Sequence, residues 1–271
     1  MRRRRNTGGN FVSAATVVLI HGAWLSPASW DRFAQRFEAS GYRCLVPAWP
    51  FEDRSPEDLR TTPLPQLASV GVKEIVDHLA AQIAPLSDVV LVGHSFGGLF
   101  VQQLLDRGLG RAAVAIHPAP GRGVFPEPAA FKASQGVLKV WGFWKKVLTM
   151  SRNDFDRFFA NGLPDEQRAV EYETQVVPTP GRIFFQAATA PFHRATEVRY
   201  DNPTRSPLLL ISGSEDRTVP AALVKKTHLR HQGSPAVTEL VEFPGRSHYT
   251  IREPGWEQVA DRAREFWERV I

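Results

Sequence analysis

Ser95 stands in the middle of Gly93-His94-Ser95-Phe96-Gly97, between an apolar run at 88–92 and the helix-like stretch Gly98-Leu99-Phe100-Val101-Gln102-Gln103-Leu104-Leu105. A serine hydroxyl is a weak nucleophile until a base takes its proton. Imidazole is the side chain that does so near neutral pH, and a carboxylate behind it fixes its tautomer and stabilises the imidazolium. The chain offers both: Glu215-Asp216 in the loop 212–220, and His248 at the end of Gly245-Arg246-Ser247-His248. The chemistry these types support is acyl transfer. Ser95 attacks a carbonyl, His248 takes the proton and hands it to the leaving group, and water releases the acyl-enzyme by the same steps. The tetrahedral oxyanion then needs two N–H donors. Phe96, following the nucleophile at a helix start, supplies one, and Ala23 of His21-Gly22-Ala23-Trp24 supplies the other. One such donor is typically worth about 3–4 kcal/mol of barrier. His21 itself reads as a structural hydrogen-bonder.

The flanking elements must hold these groups at one edge. Short apolar, β-branched runs at 17–20, 43–46, 89–92, 112–116, 208–211 and 239–243 read as strands, most of them buried. Helical patterns fall at 30–40, 67–83, after Ser95, and at 256–270, where Val259, Ala263, Phe266, Trp267 and Val270 share one face. Strand–helix alternation predicts an α/β chain with a doubly wound, mostly parallel sheet of about six strands. Ser95, Asp216 and His248 each come just past a strand's C-terminal end, where ligands bind in open α/β sheets.

Taken in order, His21-Gly22-Ala23-Trp24, Gly93-His94-Ser95-Phe96-Gly97-Gly98, Gly213-Ser214-Glu215-Asp216 with Val219-Pro220, and Gly245-Arg246-Ser247-His248 make the chain resemble the α/β-hydrolase superfamily. It is similar to the cap-bearing serine esterase group that includes plant methylesterases and hydroxynitrile lyases. The resemblance implies Ser95, Asp216 and His248 as nucleophile, acid and base, in that family's chain order. It favours Asp216 over Glu215. Some relatives carry the acid after the preceding strand, but here His117-Pro118-Ala119-Pro120 holds no carboxylate. His94, His117 and His193 are candidates to lie near the pocket, but each reads first as a core or surface histidine, and His78, His228 and His231 fall on helix patterns. The implied activity is hydrolysis of a carboxylic ester, thioester or lactone (EC 3.1.1). The alternatives are C–C bond hydrolysis, hydroxynitrile-lyase chemistry, or a small-ligand receptor on the same scaffold. Epoxide and haloalkane hydrolysis need a carboxylate nucleophile, where this chain has Ser95.

Residues 124–200 interrupt the alternation and read as a helical cap, with the hydrolase core at 11–123 and 201–271. This stretch holds 13 of the 28 aromatic residues, so it should roof the site with an apolar lining. Trp24, Trp141, Trp144 and Phe185 are the expected substrate contacts, and the expected partner is a small hydrophobic carbonyl compound.

Composition narrows the classes further. The net charge of +5 comes largely from Arg2–Arg5; without these four, 29 basic residues face 28 acidic ones, which argues against a nucleic-acid surface. Residues 1–10 read as a disordered leader. No run approaches 18 apolar residues, so no membrane span is expected. A signal peptide is not expected either, since cleavage after the apolar stretch would remove the first strand. The lone Cys44 excludes an internal disulfide and suits a cytoplasmic chain. Cys/His spacing suggests no metal, and no cofactor is expected.

Overall fold

The computed structural model describes residues 15–125, 136–137 and 139–271; the expected leader lies outside them. The chain runs β1 (Thr16–Ile20), α1 (Asp31–Ala39), β2 (Arg43–Leu45), α2 (Pro56–Thr61), α3 (Val72–Ile83), β3 (Val89–His94), α4 (Phe96–Asp106) and β4 (Ala112–Ile116). An insertion follows with β5 (Val147–Leu148), α5 (Asp165–Gln175), β6 (Thr179–Pro180) and α6 (Gly181–Ala188). The chain then closes with β7 (Leu208–Gly213), α7 (Ala221–His231), β8 (Thr238–Phe243) and α8 (Trp256–Val270).

Six strands form one sheet in the order β2-β1-β3-β4-β7-β8, and every pairing is parallel. The central strands β1, β3, β4 and β7 are buried along their whole length, while the edge strands β2 and β8 are partly exposed. This explains the sequence pattern: strands covered on both faces read as unbroken Val, Leu, Ile and Ala. α1 packs against α8 and α3 against α4. Phe33 and Phe37 of α1 meet Trp256 and Trp267 of α8 edge-on or tilted, at 5.0–5.4 Å between ring centres. Cys44 is half-buried in β2, and burial pushes its thiol up to about 12, so it stays protonated.

Two local expectations change. The helix expected over 67–83 is broken in two: a 3-10 turn at Pro65–Ser69, then α3. Gly71 is extended between them (φ −118°), and its N–H donates to the Glu74 carboxylate at 3.2 Å, a cap that starts the helix at Val72. The insertion is not purely helical either, because β5 and β6 form a two-stranded antiparallel ladder within it.

A buried ion network ties the insertion to the core. Glu171 of α5 accepts from the Tyr249 hydroxyl (2.9 Å), Arg252 Nε (2.7 Å) and Arg32 (3.1 Å). Arg252 reaches on to Asp31 at 2.6 Å. Replacing Glu171 with Ala leaves Arg252 and the Tyr249 hydroxyl short of a partner in a buried place, which should cost about 3–5 kcal/mol. Urea unfolding of Glu171→Ala against wild type measures it; a loss below about 1 kcal/mol would show that the network does not hold the insertion down.

α7 is keyed to α4 by His231, whose Nε2 lies 3.0 Å from Gln102 Oε1. Burial, with Arg205 adding to it, lowers the His231 imidazole from near 6.5 to about 3. It therefore stays neutral when folded and takes up a proton on unfolding below pH 6.5, so its linkage costs stability as pH falls from 6.5 toward 3. Wild type should lose about 1.4 kcal/mol per pH unit relative to His231→Gln across that window. Denaturant midpoints of both proteins at pH 7 and pH 5 test this, and a gap that does not change with pH would refute it.

Candidate active site

The turn from β3 into α4 places Ser95 in a backbone conformation that non-glycine residues rarely adopt, φ 56° and ψ −119°. Its own N–H donates to Ile116 O at 3.0 Å, and Ala119 N–H donates to Ser95 O at 2.9 Å, so the loop after β4 braces the turn. A Cβ on Gly97 would overlap Ile20 O of β1, so only glycine lets the helix start this close to the sheet. Gly22 is equally confined: a Cβ there would lie 2.7 Å from Ser95 Cβ and 3.3 Å from Ser95 Oγ. The loop after β1 thus presses directly on the serine. The N–H groups of Ala23 and Phe96 make no hydrogen bond to another group among the described residues.

Asp216 lies in the loop after β7, with its carboxylate fully buried. Oδ1 accepts from the N–H groups of Thr218 (2.8 Å) and Val219 (2.7 Å). Oδ2 accepts from His248 Nδ1 at 2.7 Å and from His117 Nδ1 at 2.6 Å. All four acceptor sites of the carboxylate are filled. Burial alone would raise this acid, but the electrostatic pull of the neighbouring His248 and the two imidazole hydrogen bonds outweigh it and hold the group well below the usual carboxylate range.

His248 is fully buried, and its Nε2 has no hydrogen-bond partner among the described residues. Nε2 is therefore free to take a hydrogen-bond partner, while Nδ1 is committed to Asp216. Phe159 packs against the ring at 4.9 Å. The loop carrying His248 is fixed by Glu253, which accepts from the N–H of Ser247 at 3.2 Å and from its hydroxyl. His94 Nε2 donates to His248 O at 2.7 Å. Burial, and then the nearby His248 and His117, hold His94 neutral, well below the ordinary histidine value.

His94 and His117 are buried core histidines, as expected, but the sequence did not reveal that His117 bonds Asp216 or that His94 bonds the His248 carbonyl. The available signal for His117 was its position directly after β4, where a carboxylate was sought. His193 does lie away from the cluster, on the insertion, with its Nε2 2.9 Å from the Thr189 hydroxyl. His21 stacks on Trp49 and bonds its neighbour's carbonyl, as a structural residue would. His117, Asp216 and His248 bring ligand-type atoms within 4.8 Å of one another. Direct 2.6–2.7 Å hydrogen bonds already use those atoms, so this arrangement does not fit a bound metal.

Ser95 opens into a cavity of about 160 Å³ lined mainly by apolar groups, among them Trp24, Phe96, Val124, Val137, Phe184 and Leu223. Trp24 stacks on Phe184 at 4.6 Å. The other expected substrate contacts fall elsewhere. Trp141 is 86% exposed, with its ring edge-on to Trp144. Trp144 and Phe185 line a separate groove with Pro65 and Arg182. For Phe185 the reason is helix phase: adjacent residues on α6 point about 100° apart, so Phe184 lines the cavity with Ser95 and Phe185 faces away.

Replacing Gly22 with Ala should displace the loop that carries Ala23. Were the Ala23 N–H an oxyanion donor, its displacement would cost about 10²–10³ in rate. Fluorophosphonate labelling of Ser95 in Gly22→Ala checks this, and an unchanged labelling rate would mean that the loop takes no part in the chemistry.

Residues 17–262 match the family model described as alpha/beta hydrolase family. No curated protein matches the chain at the level of sequence. Among solved structures, tomato methylketone synthase I, complexed with 2-tridecanone, is similar at 16% identity and a TM-score of 0.68, covering 95% of this chain and 99% of that one. A methylesterase from Arabidopsis aligns at 15% identity and a TM-score of 0.64, over 93% and 99%. An extracellular alpha/beta-hydrolase from a Paenibacillus species, described as sharing structural and functional homology with tobacco salicylic acid binding protein 2, aligns at 22% identity and a TM-score of 0.64, over 91% and 96%. No described helix is long and apolar enough to cross a membrane.

Proposed function

The chain belongs to the alpha/beta hydrolase family, and from that premise we propose that it is a serine esterase acting on small hydrophobic esters through an acyl-enzyme. The observation that carries this reading is the His248–Asp216 pair, with His248 Nε2 unpartnered among the described residues, together with Ser95 on the lining of the apolar cavity. Ser95 is the nucleophile. His248, its Nδ1–H committed to Asp216, uses Nε2 as the base and then returns the proton to the leaving alcohol. Asp216 stays ionised and stabilises the imidazolium. The Ala23 and Phe96 amides receive the oxyanion, helped by the positive end of α4. In this mechanism a hydrogen bond from the Ser95 hydroxyl to His248 Nε2 forms once substrate excludes water. Residues 124–200 act as the cap, and the substrate reaches Ser95 beneath Trp24 and Phe184.

Cavity size bears on the substrate. At about 160 Å³ the cavity is smaller than the roughly 300–1,000 Å³ of typical small-molecule sites, which suits a short acyl or alkyl group.

The test is hydrolysis of a p-nitrophenyl ester series. Acetate and butyrate should turn over faster than octanoate, and Ser95→Ala should lower kcat by about 10⁴-fold or more. An enzyme whose Ser95 reacts with a fluorophosphonate but which cleaves no ester would move the reading to C–C bond hydrolysis.

A further inference from the structure

The carboxylate that supports His248 is shared. Asp216 Oδ2 accepts two imidazole Nδ1–H groups, from His248 at 2.7 Å and His117 at 2.6 Å, and all three side chains are fully buried. The ring centres of the two histidines are 5.8 Å apart. The fold makes room for the second ring. His117 has a positive φ of 48°, a conformation tolerated mainly by Gly, Asn, Asp and His. Its N–H is pinned to Ile211 O at 2.8 Å. On the facing strand Gly213 stands where a Cβ would come within 2.7 Å of His117 Cε1. A strained backbone on one strand end and a glycine on the next thus converge on a histidine that the serine chemistry does not require.

We propose that His117 is a positioning residue that divides the charge of Asp216 between two imidazoles and so sets how tightly His248 holds a proton. This rests on His248 acting as the base for Ser95. With the His117 hydrogen bond in place, only part of the carboxylate's charge is directed at His248, and the base remains unprotonated further into the acid range. Without it, Oδ2 interacts with His248 alone and stabilises the imidazolium more strongly. His117 Nε2 is buried and has no partner among the described residues. The other titratable groups around the pair come from each packed element. They are His94 at the end of β3, Glu253 after the His248 loop, and Arg246, whose guanidinium donates to Pro254 O and Gly255 O. Phe159 closes the side toward the insertion.

The test is the pH dependence of the fluorophosphonate labelling rate of Ser95 in wild type, His117→Ala, His117→Gln and His117→Asn. Asparagine tolerates the positive φ and places an amide N–H where Nδ1–H sits, so its profile should coincide with wild type. Alanine lacks the donor and glutamine carries it one carbon too far. Their acid limbs should move to higher pH by about one unit. If Ala fails to fold, Gln carries the test. Acid limbs that stay in place in Ala and Gln, whatever the loss of rate, would overturn the proposal, since a packing role lowers the rate without moving the limb. Wild type that does not label at all would overturn the serine mechanism instead. The shared carboxylate is then read directly in ¹⁵N-histidine-labelled protein, where His117→Asn should remove one downfield ring N–H resonance and leave that of His248. Failure to lose one would show that His117 donates no such hydrogen bond.

Discussion

A carboxylate that is ionised in a dry interior must have every lone pair occupied, and Asp216 is the place where this fold meets that demand. Leaving such a charge unpaired costs several kcal/mol. The four N–H groups that satisfy it come from three loops: the one after β4, its own loop after β7, and the one after β8. A parallel sheet brings exactly those strand ends to one edge, because parallel strands all finish on the same side. The position of His248, the conformation of the 216–219 turn and the unusual backbone at His117 are therefore parts of one electrostatic arrangement.

The insertion completes it from above. Phe159 lies against His248, the Thr218 hydroxyl donates to Phe158 O at 2.8 Å, and Asn161 donates to Glu215 O at 3.0 Å. The Glu171 network binds α5 to Tyr249 and Arg252, just after His248. The segment between β4 and β7 is thus anchored to the same loops that carry Asp216 and His248. Excluding water there strengthens each interaction around Ser95, because charges in a low-dielectric setting act more strongly than in solvent.

Much of this was legible along the chain. Buried parallel strands announce themselves as apolar runs, since nothing polar is tolerated on either face. The glycines around Ser95 are equally readable: at 22 and 97 a side chain has no space. The helix over 67–83 was misjudged because its apolar pattern continues through Gly71, where a local cap and an extended backbone break it. The aromatic richness of the segment between β4 and β7 was legible, but not which of its rings face inward.

The sequence by itself determined the order of strands and helices, the sharp turn at Ser95, and the carboxylate and imidazole at strand ends, because these depend on local pattern and on a few positions with no steric latitude. Only the tertiary structure decided which residues meet. It turned Phe184 rather than Phe185 toward Ser95, left Trp141 in solvent, and brought His117 to Asp216 across 99 residues of chain. Those outcomes depend on the phase of one helix and on loops from separate strands packing together. No window of sequence contains either quantity.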